Sequence, residues 1–308
     1  MEKIWASLLN KHYSLLNPYH RELAHEMNQW MDASPLFSES DKTDLARSTP
    51  DMIMARMFPT AGYHHLLTCC KSALAFFICD DAFDLLTAEE QEPIQHELTG
   101  ILNGTNEIIR QNHQSYIFSL VREDILKYNL PVQWLERFVD GWNQYLEGSK
   151  LEAPFKLQYK IPAPEEYISI RRKSIAVRQF FALNELVEDA ILEPEILQHP
   201  LLRQLEELAL DVFIYENDLV SFRLERKKRY VMNAVMVIQQ HDKVSDEEAF
   251  ANVVEKRNDR LYSFQDTRRS LTDPVLNHDA VQRYLSGMEK MLTGISLWKF
   301  LDTERYDT

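Results

Sequence analysis

Three aspartates, Asp80, Asp81 and Asp84, follow an apolar run in a stretch without glycine or proline. A helix is predicted here, because the segment 66–86 contains no helix breaker and is rich in Ala, Leu and Phe. On a helix, Asp80 and Asp84 are one turn apart on the same face. Like charges placed so close cost stability unless a cation joins them, and oxygen ligands favour Mg²⁺ or another hard divalent ion. The stretch therefore predicts a metal-binding face, with a solvated acidic helix end as the alternative.

A second set of oxygen-bearing side chains, Asn217, Ser221 and Glu225, recurs at intervals of four residues. On a helix this spacing places an amide, a hydroxyl and a carboxylate on one face over two turns. Because Asn and Ser weaken a helix interior, the combination is unusual as surface decoration. As ligands they suit Mg²⁺, which usually keeps waters and substrate phosphate oxygens in its shell. The segment predicts a second metal-binding face, with a capped or frayed helix as the alternative.

The elements that carry these side chains are predicted to be helices. Only 7 of the 308 residues are Gly, and strands rich in Val or Thr and bounded by Gly turns are hard to find. Both facts favour an all-α protein. Without an internal repeat or a long flexible linker, one domain spanning 1–308 is the simplest organisation. The main predicted helices cover 61–87, 131–148, 165 to the 180s, 203–226, 229–241, 246–271 and 277–300.

Charge and composition exclude several classes of function. The chain has 34 Lys and Arg against 48 Asp and Glu, a net charge of −14, which argues against nucleic acid and anionic membranes as partners. An anionic substrate would therefore need local cations. The cysteines, Cys69, Cys70 and Cys79, fit neither a disulfide framework nor a zinc site. No uninterrupted apolar run reaches about 18 residues, so we expect a soluble, cytoplasmic protein without membrane insertion.

Taken together, the two oxygen-rich segments resemble the DDxxD and (N/D)Dxx(S/T)xxxE motifs of the class I terpene synthases of bacteria and fungi. The first motif runs from 80 to 84 and the second from 217 to 225, and each matches in full. The resemblance covers most of the chain from about Met52. It implies an all-α, single-domain helical bundle of the class I terpene synthase (isoprenoid synthase) type, in which the two motifs face each other.

The resemblance implies that both motifs hold Mg²⁺, with three ions in the family and Mn²⁺ as an alternative. The implied metal ligands are Asp80, Asp81, Asp84, Asn217, Ser221 and Glu225.

The resemblance also implies cations for a diphosphate group. Arg172 follows Tyr167 and lies 45 residues before the second motif (217 − 172 = 45), which resembles the family's diphosphate-sensing arginine, found some forty-odd residues before that motif and after a Tyr. Arg305 and Tyr306, preceded by Trp298, resemble the family's C-terminal Arg-Tyr pair. Arg172, Arg305 and Tyr306 are therefore implied to donate hydrogen bonds to the diphosphate.

Two positions depart from the family pattern. Ala176 stands where many relatives have Gly four residues after the sensor arginine, which affects how the helix breaks there. Leu224 stands where many relatives have Lys, so Arg223 or Arg226 is the predicted replacement cation for the diphosphate. A second Arg-Tyr pair at 229–230 does not match the family position and is interpreted as a solvated helix start.

The implied reaction is ionisation of an isoprenyl diphosphate, followed by cyclisation and release of diphosphate. A carbocation must be kept from water in a closed apolar cavity, and an aromatic face stabilises a cation by about 0.5–2 kcal/mol. Phe77, about one turn before Asp80, is the favoured catalytic aromatic residue, with core packing as the alternative for each candidate. The candidates are Phe76, Phe77, Phe83, Phe180, Phe181 and Trp298.

Several alternatives stay open at this stage. The size of the chain resembles sesquiterpene cyclases acting on farnesyl diphosphate, while geranyl and geranylgeranyl diphosphate are the alternative substrates. A chain-elongating prenyltransferase would normally carry a second DDxxD segment, which is absent here. From another class, a catalytically inactive helical protein that binds isoprenyl diphosphate is the rival. A homodimer is common among relatives and is expected by resemblance.

Overall fold

The computed structural model describes residues 16–106 and 112–306. Within these ranges the chain forms helices and no strand, so the all-α prediction is confirmed. The predicted domain 1–308 also includes residues 1–15, 107–111 and 307–308, which lie outside the described residues. The helices are α1 (His20–Ala33), α2 (Glu39–Ser48), α3 (Pro50–Met57), α4 (Tyr63–Phe83), α5 (Ala88–Asn103), α6 (His113–Leu126), α7 (Val132–Gln158), α8 (Pro164–Ser174), α9 (Arg178–Val187), α10 (Pro194–Leu197), α11 (Pro200–Lys228), α12 (Ala234–Asp242), α13 (Asp246–Arg269) and α14 (Asp279–Leu301).

Helix α4 carries the first acidic motif at its C-terminal end. Most of its side chains are buried, as expected from a sequence that is apolar on nearly every side. The helix ends at Phe83, and Thr87 is the N-cap of α5: the Thr87 side chain accepts a hydrogen bond from the Glu90 backbone N–H, and the Glu90 carboxylate accepts one from the Thr87 N–H. Asp80 lies in the last turn of α4, most of which is buried.

Helix α7 is longer than predicted. The sequence indicated an end near 148, whereas the helix continues to Gln158 and includes Pro154. Its aromatic stripe is core as predicted. Close packing against α8 needs Gly148, because a Cβ there would lie 2.4 Å from the Ser174 backbone nitrogen. The additional turns bring Glu152 and Lys156 to the region of the acidic motif. The buried stripe consists of Trp134, Phe138, Trp142 and Tyr145.

A break separates α8 from α9 where one continuous helix was predicted. Ala176 lies in the break with a φ of 56°, in the left-handed region that is costly for a residue with a Cβ. The departure at this position therefore keeps the backbone geometry that glycine adopts easily, at the expense of local strain.

The Arg-Tyr pair after α11 is a helix end, so its interpretation as a solvated helix start was wrong. Arg229 is the C-cap of α11 with a φ of 58°, and the next helix begins only after Asn233. Tyr230 is half-buried, and its hydroxyl donates a hydrogen bond to Glu152 at 3.0 Å. Arg229 is exposed, whereas Tyr230 lies on the inner side of the α11–α12 connection.

No helix in the described ranges is long and apolar enough to cross a membrane.

A partly buried carboxyl group links α11 to α14. Glu206 accepts a hydrogen bond from the Tyr284 hydroxyl at 2.6 Å. Burial is the main cause that raises the pKa of Glu206 from 4.5 to about 7; Glu185 and Glu207 add to the rise, while Tyr284 and Arg178 oppose it. Because the folded state holds this proton more tightly than the unfolded state, the contribution of Glu206 to stability falls as pH rises from about 4.5 to 7.

Glu206→Gln should therefore raise the free energy of unfolding at pH 8 by on the order of 1–3 kcal/mol. Glutamine keeps an acceptor for Tyr284 and cannot ionise, so the gain should shrink towards zero at pH 5. Urea unfolding followed by circular dichroism at pH 5, 6, 7 and 8 measures the difference. An equal gain at all four values would contradict the linkage, whereas the exposed Glu247→Gln should show no pH-dependent change.

Candidate active site

A cavity of about 650 Å³ lies among α4, α7, α8, α11 and α14. Its apolar lining includes Phe76, Phe77, Phe180, Phe213 and Trp298. Polar side chains from two facing helices and the C-terminal segment line the remaining wall. All six predicted metal ligands and the predicted Arg-Tyr pair are among them, while their roles stay predictions. These residues are Asp80, Asp81, Asp84, Asn217, Ser221, Glu225, Arg305 and Tyr306.

The first wall is the acidic end of α4. Arg305 donates from Nη2 to Asp81 Oδ1 at 2.8 Å and to Asp80 Oδ2 at 3.3 Å. Lys156 Nζ lies 2.9 Å from Asp84 Oδ1. Burial, and next the Asp84 carboxylate, raise the pKa of Asp80 to about 7. Even with two cations beside it, this wall holds more negative charge than its surroundings stabilise.

The second wall is the face of α11 that carries Asn217 and Ser221. The Asn217 amide oxygen accepts a hydrogen bond from Arg171 Nη2 at 3.3 Å, and its amide nitrogen donates to the Tyr306 hydroxyl at 3.3 Å. The Ser221 hydroxyl donates to the Asn217 carbonyl at 2.8 Å, one turn back along the helix. Tyr306 therefore ties the C-terminal segment to the second motif, as Arg305 ties it to the first.

Glu225 completes the second wall. Its carboxylate accepts a hydrogen bond from Asn233 Nδ2 at 2.8 Å. Burial is the main cause that raises the pKa of Glu225 to about 8, and the nearby Asp218 carboxylate adds to it. A protonated or poorly compensated carboxyl group in this position is the electrostatic signature of a site that favours a cation.

The donor set of the two walls fits a hard divalent ion. Carboxylate, amide and hydroxyl oxygens are what Mg²⁺ accepts, and the raised pKa values of Asp80 and Glu225 are what an added cation would lower. In the parts of the chain that the structure describes, no three His, Cys, Asp or Glu residues are clustered tightly enough to hold a metal by themselves. Protein oxygens from each wall would therefore share an ion with waters and ligand oxygens.

The arginine of α8 that reaches the cavity is Arg171, and the prediction of Arg172 is corrected. Arg171 is 6% exposed and borders the cavity. Arg172 instead points away from the cavity. It forms a bidentate salt bridge with Asp211 at 2.8 and 2.9 Å and contacts Glu207 at 3.2 Å. Neighbouring residues on a helix differ in direction by about 100°, and on α8 Arg171 rather than Arg172 borders the cavity.

A buried network holds Arg171 in place. Its guanidinium donates to Asp218 at 3.2 Å and to Glu152 at 3.2 Å. Tyr167, one turn earlier, donates its hydroxyl to the same Asp218. Although burial disfavours its charge, Lys156 and Arg171 lower the pKa of Glu152 to about 2. Glu152 is therefore a fixed anion that orients Arg171 and Lys156, and Asp218 contacts the same Arg171 guanidinium.

Arg226, the other predicted diphosphate cation, lies outside the cavity. It is exposed and pairs with Asp246 at 3.1 Å on the surface, and Arg223 is exposed as well. Both residues are on faces of α11 that point away from Glu225, because one or two positions along a helix change the direction by about 100° or 200°. The structure thus corrects the prediction that either replaces the lysine missing at Leu224.

Two of the aromatic candidates are core residues. Phe83 is 1% exposed and does not border the cavity. Phe181 is also buried outside the cavity, whereas its neighbour Phe180 borders it. Both predictions are corrected in favour of packing, while Phe76, Phe77 and Trp298 border the cavity.

Sequence reasoning missed several polar residues of the cavity. Arg171 had a usable signal, since Tyr167, Ile170, Arg171 and Ser174 recur with helical spacing and are all buried. Lys156 had none, because the predicted end of its helix lay before it. Its ammonium also lies 4.6 Å from the centre of the Tyr230 ring, a contact that requires the folded α11–α12 connection.

Residues 71–262 match the family model described as terpene synthase family 2, C-terminal metal binding. Among curated proteins, the chain is 26% identical over 308 residues to germacrene A synthase of Nostoc punctiforme, covering 97% of this chain and 92% of that protein. It is 28% identical over 300 residues to 4-epi-cubebol synthase ((2E,6E)-farnesyl diphosphate cyclizing) of Streptosporangium roseum, covering 95% and 89% respectively.

Solved structures with the same fold include germacradien-4-ol synthase from Streptomyces citricolor. It superposes with a TM-score of 0.77 at 24% identity, covering 92% of this chain and 95% of that one. Linalool/nerolidol synthase from Streptomyces clavuligerus, in complex with 2-fluorogeranyl diphosphate, superposes with a TM-score of 0.82 at 22% identity, covering 94% and 97%. The helical arrangement around the cavity is therefore shared with these proteins.

Proposed function

The chain belongs to the class I terpene synthases, and from this premise we propose that it ionises and cyclises farnesyl diphosphate in a Mg²⁺-dependent reaction. The family match confirms the resemblance drawn from the two motifs, and the solved structures confirm the predicted class of helical fold. The enzyme is thus a lyase acting on a prenyl diphosphate and using a divalent metal. The choice of Mg²⁺, the number of ions, the site residues and the substrate length are proposals.

One observation carries the proposal: two oxygen-rich walls and an apolar pocket share one cavity. Asp80, Asp84, Asn217, Ser221 and Glu225 would hold Mg²⁺ against the diphosphate, with Asp81 supporting. When bound, the metal would neutralise charge that develops on the leaving oxygens. The volume of about 650 Å³ falls within the range of about 300–1,000 Å³ that is usual for small-molecule sites.

The protein's own donors would orient the diphosphate. Arg171 contacts Asn217 of the second wall, Arg305 contacts Asp81 of the first wall, and Tyr306 adds a hydroxyl beside Asn217. Guanidinium groups form two parallel hydrogen bonds to phosphate oxygens, which fixes direction as well as charge. With the leaving group held at this end, carbon–oxygen cleavage would release the allylic cation towards the aromatic lining.

The aromatic lining would exclude water from the cation and stabilise it. Phe77 and Trp298 lie with ring centres 6.3 Å apart, and the Arg305 guanidinium carbon lies 4.9 Å from the centre of the Phe77 ring. Phe77 therefore already presents a π face to a cation, at the boundary between the polar and apolar halves of the cavity. This position supports Phe77 as a cation-stabilising residue of the reaction.

Farnesyl diphosphate is favoured over shorter and longer substrates by the nature of the relatives. The name of the 4-epi-cubebol synthase specifies farnesyl diphosphate cyclisation, and the match to it covers nearly the whole chain. A sesquiterpene hydrocarbon or alcohol is the proposed product. Geranyl diphosphate is the alternative, since a fluorinated analogue of it is bound in the linalool/nerolidol synthase structure.

The test is incubation of the purified protein with geranyl, farnesyl or geranylgeranyl diphosphate, each with Mg²⁺ and with EDTA. Extracts are analysed by gas chromatography and mass spectrometry. We expect a cyclic C15 product from farnesyl diphosphate only in the presence of Mg²⁺. Cyclic products from another substrate alone would change the assigned chain length. Longer prenyl diphosphates after addition of isopentenyl diphosphate, or no product from folded protein, would contradict the proposal.

A further inference from the structure

Lys299 is a buried lysine of the cavity that the reaction described above does not use. It follows Trp298 on α14, borders the cavity and is 6% exposed. In the part of the chain that the structure describes, its ammonium has no hydrogen bond or ion pair, and the groups that act on its charge do so only at longer range. A buried ammonium without a direct partner is costly unless a ligand supplies one.

The other shielded cations of the cavity differ from Lys299 because each already has a carboxylate partner. Their charges are therefore largely compensated by the protein. These pairs are Arg171 with Asp218 at 3.2 Å, Lys156 with Asp84 at 2.9 Å and Arg305 with Asp81 at 2.8 Å.

The charged groups around Lys299 do not compensate it. Burial is the main cause that lowers the pKa of Lys299 to about 8; Glu216 and Asp218 on α11 oppose this, whereas Arg171 on α8 and Arg257 on α13 add to it. The two carboxylates are already engaged, Glu216 with Arg257 and Asp218 with Arg171. The surroundings of Lys299 therefore have one positive charge more than their carboxylates balance when the lysine is protonated.

The position of Lys299 places this charge beside the second wall. One turn earlier on α14, Ser296 donates its hydroxyl to Glu216, the residue immediately before Asn217. Tyr306, five residues beyond the end of α14, contacts Asn217 itself. The helix thus runs along the part of α11 where the second motif begins, and Lys299 lies one turn beyond Ser296 on the same helix.

We propose that Lys299 is a diphosphate-binding residue of this chain, whose ammonium gains its counter-ion when the anion enters the cavity. The inference rests on the proposed function, since that function brings a diphosphate to this wall. The proposal also explains how an acidic protein can bind an anion although Leu224, on the neighbouring turn of α11, stands where many relatives have Lys. The ligand chemistry that Lys299 recognises is the terminal oxygens of a diphosphate group.

Lys299→Met tests the proposal because it keeps the length of the side chain and removes the charge. Binding of inorganic diphosphate to the full chain in Mg²⁺ is measured by calorimetry. We expect binding to weaken about tenfold or more for Lys299→Met and to change little for Lys299→Arg. The matched control is Lys290→Met on the same helix, whose ammonium pairs with Glu188 at 2.8 Å away from the cavity. Equal affinity of Lys299→Met and the wild type would overturn the assignment.

Melting without diphosphate separates binding from folding. Because the charge lacks a counter-ion in the free protein, Lys299→Met should melt at the same temperature as the wild type or higher, and should lose the stabilisation that diphosphate provides. A lower melting temperature together with unchanged diphosphate stabilisation would assign Lys299 to packing. If Lys299→Met does not fold, Lys299→Gln provides the same comparison.

Measurements on the wild type distinguish failure of the Lys299 assignment from failure of the proposed function. Failure of the wild type to bind inorganic diphosphate with Mg²⁺, and to convert any prenyl diphosphate, would overturn both. Normal binding and cyclisation by the wild type, with Lys299→Met equally active and equally tight, would overturn only the role of Lys299.

Discussion

Asn217→Ala and Glu225→Ala should each lower terpene formation by on the order of 100- to 1,000-fold or more. Each change removes one oxygen of the second wall, so an ion shared with waters and diphosphate oxygens would lose part of its shell. The first wall cannot compensate, because its carboxylates are on the opposite helix and are engaged by Arg305 and Lys156. The loss should appear in kcat as well as in the Mg²⁺ concentration needed for half-maximal rate.

The control separates chemistry from structure. Arg223 lies on an exposed face of the same helix. Arg223→Ala should leave the rate within about twofold, since an exposed substitution seldom changes the stability of the fold by more than about 0.5 kcal/mol. Glu225→Gln keeps an acceptor for Asn233 and removes a carboxyl group whose pKa burial raises to about 8. We therefore expect its melting temperature to be equal or higher while its activity is lost. Near-normal turnover in Glu225→Gln or Asn217→Ala would refute the metal assignment.

The metal-binding faces could be predicted because they depend only on helical spacing. Asn217, Ser221 and Glu225 are four residues apart, and any helix through them places them together. The same holds for Asp80 and Asp84. That the two walls face each other was predicted from the family resemblance, since no local sequence pattern indicates which helices oppose each other across a bundle.

Two of the residues that sequence reasoning misassigned, Phe181 and Arg172, are immediate neighbours of residues that border the cavity. Phe180 and Phe181 were both candidates and Phe180 is the one that borders the cavity, whereas Arg172 was predicted and Arg171 borders the cavity. A count of positions between motifs does not resolve a single residue, whereas the direction of a side chain changes by about 100° with each one. The spacing of the buried residues Tyr167 and Arg171 would have resolved the second case.

Lys156 and Lys299 show a different limit. Lys156 lies beyond a proline that normally argues against helix continuation, and Lys299 is a charged residue beside an aromatic core residue. Their placement depends on the packing of α7 and α14 against other helices, and a lysine in such a position reads in sequence as part of a solvated face.

The second large effect on kcat/KM is expected from substitution of Arg171, compared with the same substitution at the adjacent Arg172. Arg171→Lys should lower kcat/KM by about 10- to 100-fold, because lysine keeps the charge that Glu152 and Asp218 require and loses the two parallel hydrogen bonds of a guanidinium. Arg172→Lys should stay within about twofold of the wild type. Its partner Asp211 keeps a second cation, Arg260, at 3.2 Å.

Lysine is the right replacement at both positions, because removal of the charge from Arg171 would take away the arginine that pairs with the buried Asp218, at a cost of about 3–5 kcal/mol in folding stability, while Glu152 would keep Lys156 at 2.9 Å. Loss of activity in Arg171→Ala would then report unfolding as much as chemistry. With lysine, melting temperatures should stay close to the wild type while the KM for farnesyl diphosphate and the affinity for inorganic diphosphate change only at Arg171. Because the two residues are adjacent and carry the same charge, a larger effect at Arg172 would mean that the sequence spacing, rather than the direction of the side chain, identifies the diphosphate arginine.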